Sequence, residues 1–154
     1  MHLFEENIKN LGLNIPELPK ALANYVPFKI IGKTLYISGQ APVQNGELIY
    51  KGKVGSDITI EEGIEAAKLC VINVIAAVKN GIEGDWDKLD SFVKLTGYVN
   101  CKDNFIDQPK IINGASDMLV DIFGDQGRHS RVAVGSNALP LGIAVEIDAI
   151  VQLK

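Results

Sequence analysis

Cysteine is scarce in this 154-residue chain: Cys70 and Cys101 are the two present. No Cys-x-x-Cys or His/Cys spacing accompanies them, so a zinc site is not expected. Two buried free thiols are expected instead, as suits a reducing compartment. Histidine is equally rare, with His2 at the flexible terminus and His129 among arginines. A two-histidine ribonuclease site is therefore not expected. Basic residues are outnumbered, 15 Lys and Arg against 19 Asp and Glu, for a net charge of −4. That balance argues against the electrostatic footprint of a nucleic-acid binder. The one cationic cluster is Arg128-His129-Ser130-Arg131. The N-terminus lacks the basic and apolar regions of a signal peptide. The longest helical stretch, from Thr59, is broken by charges and does not read as a membrane span. The expected setting is cytoplasmic, with no membrane and no nucleic-acid partner. Nucleophile-elbow, zincin, P-loop and dinucleotide-binding motifs are all missing. No carboxylate cluster suggests a metal, so neither metal nor cofactor is expected.

What is present reads as one α+β domain spanning residues 1–154. Residues 3–11 form an amphipathic helix with Leu3, Phe4, Ile8 and Leu11 apolar, followed by a loop marked by Pro16 and Pro19. Two β-rich runs around Gly32-Lys33 predict a hairpin, and Asn45-Gly46 predicts another. Thr59-Ile60-Glu61-Glu62 fits a capping box. It opens a helix to about Lys79, whose face is Ile60, Ile64, Ala67, Val71, Val74 and Val78. Ser91 to Cys101 alternates as a half-buried strand, with Val93, Leu95, Gly97 and Val99 on one side. A second main helix starts near Pro109 and ends at Gly124. The last two strands run from Arg131 to Ser136 and from Ala144 to Leu153. This order predicts a mixed sheet with two main helices packed on one face. The other sheet face keeps apolar residues, which invites oligomerisation.

Two residues stand out at the end of the chain. Arg131 opens a strand-like run, and Glu146 lies on the next strand, beyond the Leu139-Pro140 turn. The expectation is that these strands are neighbours. The guanidinium then binds a carboxylate, and the glutamate positions or deprotonates a water beside it. Tyr25 can close a pocket and donate a hydrogen bond. Ser38-Gly39 offers a hydroxyl and a closely approaching backbone. Taken singly, each admits a plainer role: a surface or structurally paired arginine, an exposed strand glutamate, a partly packed tyrosine, a turn.

Together these residues resemble the RidA/YjgF family of enamine/imine deaminases, from about Leu18 to Gln152. The most specific part is Arg131, Leu139-Pro140 and Val145-Glu146-Ile147. The spacing of Tyr25 from Ser38-Gly39-Gln40 agrees, Asn73 matches a helix asparagine, and Asn113 roughly matches a pocket-lining one. The resemblance implies a chorismate mutase-like fold. It also implies a homotrimer around a central barrel, with pockets between subunits. It implies hydrolysis of intermediates such as 2-aminoacrylate to a 2-keto acid and ammonia, without a cofactor. On that basis Arg131 binds the substrate carboxylate, Glu146 holds the attacking water and Tyr25 closes the pocket. Ser38, Gly39 and Asn113 line the wall. Ala133 stands where the family often has a cysteine, so a backbone contact is retained there without a thiol. The departures are an N-terminal extension (residues 1–17), an insertion near Gly81 to Trp86 and a longer entry at Asp107 to Ile112. Two other functions remain open: a binding or regulatory protein for small keto acids, and an endoribonuclease.

Overall fold

Thr59 and Glu62 form the expected capping box. The Thr59 hydroxyl accepts from the Glu62 N–H, and the Glu62 carboxylate accepts from the Thr59 N–H, both at 3.1 Å. They start α2 (Ile60–Gly81). The computed structural model describes residues 1–18 and 23–154. Pro19, read in the sequence as part of a loop, lies outside the described residues. Ahead of α2 come α1 (Leu3–Asn10), β1 (Phe28–Ile31), β2 (Thr34–Gln40), β3 (Val43–Gln44) and β4 (Glu47–Leu48). Both predicted hairpins form. Gly32 takes a positive φ at the first turn, as do Asn45 and Gly46 at the second, where only a left-handed backbone closes two residues between twisted strands.

After α2 follow β5 (Leu89–Asn100), α3 (Gln108–Phe123), β6 (Ser130–Ser136) and β7 (Val145–Leu153). The main sheet runs β1-β2-β7-β5-β6, antiparallel except for the parallel pair β5 and β6. Because α3 carries the chain from β5 to β6, those two strands run parallel. The last strand then enters the middle of the sheet, between β2 and β5. Both main helices cover one face. Gly97 of β5 lets α3 sit close: a Cβ there would stand 2.5 Å from the Ile112 side chain. On the same face Leu35, Leu95, Val99, Ile147 and Val151 are buried against Val71, Val74 and Ile111. This is the α+β sandwich that the element order predicts.

Two details differ from the sequence pattern. A β-bulge between Phe92 and Lys94 breaks the alternation of β5, so Phe92 enters the core and Val93 stays 41% exposed. Of the apolar residues in the predicted helix 3–11, Phe4 and Ile8 are buried in α1, while Leu3 and Leu11, the latter just past the end of α1, are exposed. Phe4 fits edge-on to Trp86 and Phe123, with ring centroids 6.0 and 4.9 Å apart. Cys70 and Cys101 are free and buried, as expected. Among the described residues no helix is long and apolar enough to cross a membrane.

The second face of the sheet is uncovered in the single chain. Tyr36, Val132 and Val134 are each at least 40% exposed on it, and Ile150 lies half-buried between the strands. Alternation along β2, β6 and β7 puts them there once the intervening residues are committed to the helix layer.

Candidate functional site

Arg131 lies on the helix-covered side of β6, the edge strand. Its register partner is Leu95, a core residue of β5. The guanidinium reaches α3, where Nη1 donates to Asn113 Oδ1 at 2.8 Å and to Ser116 Oγ at 3.2 Å. Asn113 and Ser116 are one helical turn apart and so share a face of α3. Among the described residues no carboxylate forms an ion pair with Arg131, whereas Arg128 is paired with Asp125 at 3.2 Å. Arg131, Asn113, Ser116, Asp117, Arg128 and His129 line one shallow concavity of about 330 Å³, with the Asp117 carboxylate beyond ion-pair distance of Arg131. Ala133 follows on the same face of β6, opposite Gly97.

Glu146 sits elsewhere. Its register partner is Tyr98, and both point to the uncovered face. Beside it, β2 carries a β-bulge: Ile37 pairs with Ala149 and Gln40 with Ile147, so Ser38 and Gly39 together oppose Asp148. The bulge brings the Gly39 backbone against the glutamate. A Cβ on Gly39 would stand 2.7 Å from Glu146 Oε1. The Ser38 hydroxyl donates to the Val26 carbonyl at 2.7 Å. It thereby ties the Tyr25 segment to the bulge. Tyr25, Tyr36 and Ser38 line a second concavity, of about 500 Å³. Asn73 of α2 is buried and donates to the carbonyls of Ala41 and Val43, both at 3.0 Å, which anchors the chain leaving β2.

Burial first, and the neighbouring Asp148 second, push the Glu146 carboxyl above the usual carboxylate range. A raised folded-state value means that the folded protein resists ionising this group. The penalty is absent below the ordinary carboxylate value, about pH 4. It grows as the pH rises through the raised value. Glu146→Gln is therefore expected to raise the melting temperature at neutral pH and to leave it unchanged near that lower limit. Melting curves across the acid range check this. Gly39→Ala strikes the end of that flexible side chain, so Glu146 swings aside and stability is expected to change by less than about 0.5 kcal/mol, which a thermal melt checks.

The expectation of neighbouring strands is overturned. β5 lies between β6 and β7, and the two charged groups are on opposite faces of the sheet. The reason is register. Arg131 aligns with Leu95 and Glu146 with Tyr98, an odd number of residues along the regular part of β5, so alternation sends them to opposite sides. One chain therefore holds the candidate residues in two separate groups: Arg131 with Asn113 and Ala133, and Glu146 with Gly39, followed by Ser38 and Tyr25.

Residues 5–152 match the family model described as "YjgF/chorismate mutase-like, putative endoribonuclease". The chain belongs to this YjgF family. It is 38% identical over 149 residues to protein TCP17 of Trypanosoma cruzi, covering 96% of this chain and 92% of that one. The crystal structure of Atu1372 from Agrobacterium tumefaciens, a protein of unknown function, superposes with a TM-score of 0.93. It is 41% identical and covers 99% of this chain and 94% of that one. A Shewanella oneidensis MR-1 structure is 36% identical with a TM-score of 0.94, covering 99% and 100%. The chorismate mutase-like α+β fold is thus the fold of this YjgF chain.

Within that fold the structure adds two side chains to the arginine group that the sequence reading left out. Ser116 Oγ lies 2.9 Å from His129 Nε2, and His129 Nδ1 lies 2.7 Å from the Gly127 carbonyl. The signals were present: Asn113 and Ser116 have helical spacing, and His129 and Arg131 have strand spacing. What linked the two pairs was the packing of α3 on β6. Among the described residues no group of three His, Cys, Asp or Glu side chains could hold a metal ion.

Proposed function

We propose that this YjgF-family chain hydrolyses reactive 2-enamine and 2-imine acids to 2-keto acids and ammonia. The site is completed where two copies meet. The observation that carries this is Arg131, a half-buried guanidinium in a concavity, held by two neutral acceptors and unpaired with any described carboxylate. Such a group is matched to a small carboxylate, which it can grip through two parallel N–H donors. The Glu146 half-site of the neighbouring copy supplies the other function. Its carboxylate accepts a proton from water as the oxygen bonds to the imine carbon. Glu146 passes that proton to the imine nitrogen, giving a carbinolamine; the same carboxylate then moves the hydroxyl proton to the nitrogen, which leaves as ammonia as the C–N bond breaks and the C=O bond forms. Tyr25 hydrogen-bonds the reacting group or the water. Ser38, Gly39 and Asn113 line the wall, with the backbone at Ala133.

The assembly we propose is a homotrimer whose uncovered sheet faces turn inward as a barrel. Burying Tyr36, Val132, Val134 and Ile150 against other copies removes an exposed apolar face of the kind that marks interaction surfaces. No cofactor takes part in these steps.

A coupled assay tests the reading. A pyridoxal-phosphate enzyme generates 2-aminoacrylate, and its decay is followed with and without this protein. Acceleration supports the deaminase reading, and decay at the buffer rate for every imine tried ends it. One observation favours a second reading, a binding protein for small keto acids. The arginine half-site is whole within one chain and needs no carboxylate from a neighbour to hold an anion. Binding of pyruvate without turnover of any imine would select it.

A further inference from the structure

We propose that Ser116 and His129 are positioning residues that fix the Arg131 guanidinium through a one-directional hydrogen-bond chain, so that its Nε–Nη2 edge faces the bound carboxylate. This rests on the carboxylate-binding role given to Arg131 above.

In the neutral imidazole the direction of the chain is fixed at both ends. The Gly127 carbonyl only accepts, so His129 Nδ1, 2.7 Å away, carries a hydrogen. In the uncharged ring Nε2 is then an acceptor. The guanidinium only donates, so Arg131 Nη1 gives a hydrogen to Ser116 Oγ at 3.2 Å. The Ser116 hydroxyl hydrogen is left to point at Nε2, 2.9 Å away. The second Nη1 hydrogen goes to Asn113 Oδ1 at 2.8 Å. Both hydrogens of Nη1 are thereby used. Nε and Nη2 have no partner among the described residues, and one edge of a guanidinium is the fork that takes a carboxylate side-on.

The far end of the chain is anchored by packing. A Cβ on Gly127 would stand 2.2 Å from the Leu119 carbonyl, so the turn carrying that acceptor presses directly on α3. Asn113 and Ser116 come from the same helix. The orientation of Arg131 is thus referred to α3 at both hydrogens of Nη1. Its own strand, β6, is a sheet edge paired on one side only.

Two measurements test this. Ring-nitrogen NMR of labelled protein is expected to show His129 protonated at Nδ1 and bare at Nε2, with the Nε2 signal shifting in Ser116→Ala. A ring protonated at Nε2, alone or together with Nδ1, overturns the chain, whatever ligand binds. Calorimetry with pyruvate is expected to show Ser116→Ala binding about ten-fold more weakly, because a guanidinium no longer held in place must be ordered on binding. Ser116→Thr is expected to restore it; Ser116→Ala, which also loses its folded-state bonds to Arg131 and His129, is expected to lower the melting temperature by a few degrees and to stay folded at the assay temperature. If Arg131→Ala abolishes pyruvate binding but Ser116→Ala binds like wild type, the positioning role fails and the carboxylate role stands. If Arg131→Ala binds pyruvate like wild type, the carboxylate role itself fails, and this inference with it.

Discussion

Arg131→Ala is expected to abolish detectable imine hydrolysis, and Arg131→Lys to lower kcat/KM by about 10- to 1000-fold. The alanine variant removes the cation and leaves Asn113 Oδ1 and Ser116 Oγ facing an empty concavity. The lysine variant keeps the charge but loses the geometry. An ammonium is a point charge on a flexible stem and cannot hold two acceptors on α3 while gripping a carboxylate through a second pair of donors. The lysine result is the more discriminating one. If Arg131 only attracted anions, charge alone would serve and turnover would stay near normal. Steady-state kinetics on generated 2-aminoacrylate, with both variants beside wild type, distinguishes the two. Because the guanidinium is half-buried and forms no ion pair among the described residues, neither substitution strands a buried carboxylate. Loss of activity without loss of fold is the expected pattern.

The second large effect concerns two variants together. Arg131→Ala and Glu146→Gln are each expected to be inactive, because each lacks one half of the site. Mixed, refolded and reassembled in equal amounts, they are expected to recover about a quarter of wild-type activity, given random assortment in a closed cyclic assembly. In each interface the arginine must come from the glutamine variant and the glutamate from the alanine variant. Opposite sheet faces are the reason: within one copy, Arg131 shares a face with Leu95 and Glu146 shares a face with Tyr98. A site made within one chain would recover nothing on mixing, since no chain in the mixture would carry both groups. Full inactivity of the mixture, with assembly verified by light scattering, would reject the two-copy site.

The elements themselves were legible one by one. The 3.6-residue spacing of Val71, Val74 and Val78, and the Thr59–Glu62 box, are local properties, and α2 begins at Ile60 as they require. The hairpins at Gly32 and Asn45-Gly46 follow from the few residues that accept a positive φ. The candidate residues were legible too, since Arg131, Glu146, Tyr25 and Ser38-Gly39 stand in a spacing that resembles a known family. Less legible were features in which a strand departs from strict alternation. Ser38-Gly39-Gln40 reads in sequence as the end of a strand, and β2 does end at Gln40, but nothing in the sequence marks the bulge within it. The bulge near Phe92 moves Val93 out of the core and Phe92 into it, while Leu95 and Val99 keep the expected phase. Ser116 was passed over, and His129 was noted only within its cationic cluster, because the contact between them joins α3 to the segment before β6.

The sequence by itself determined which segments are helix or strand, which residues of each are apolar, and which few side chains could carry charge-based chemistry. These depend on neighbours along the chain, and periodicity reports them directly. Only the tertiary structure decided that β7 lies between β2 and β5, that β6 is left at the edge, and that the register of β5 sends Arg131 and Glu146 to opposite faces. Strand order and register arise from pairings between residues far apart in sequence, and shifting a register by one residue exchanges the two faces of a strand. No local pattern encodes that parity. It is what keeps Arg131 and Glu146 from sharing one pocket within a chain.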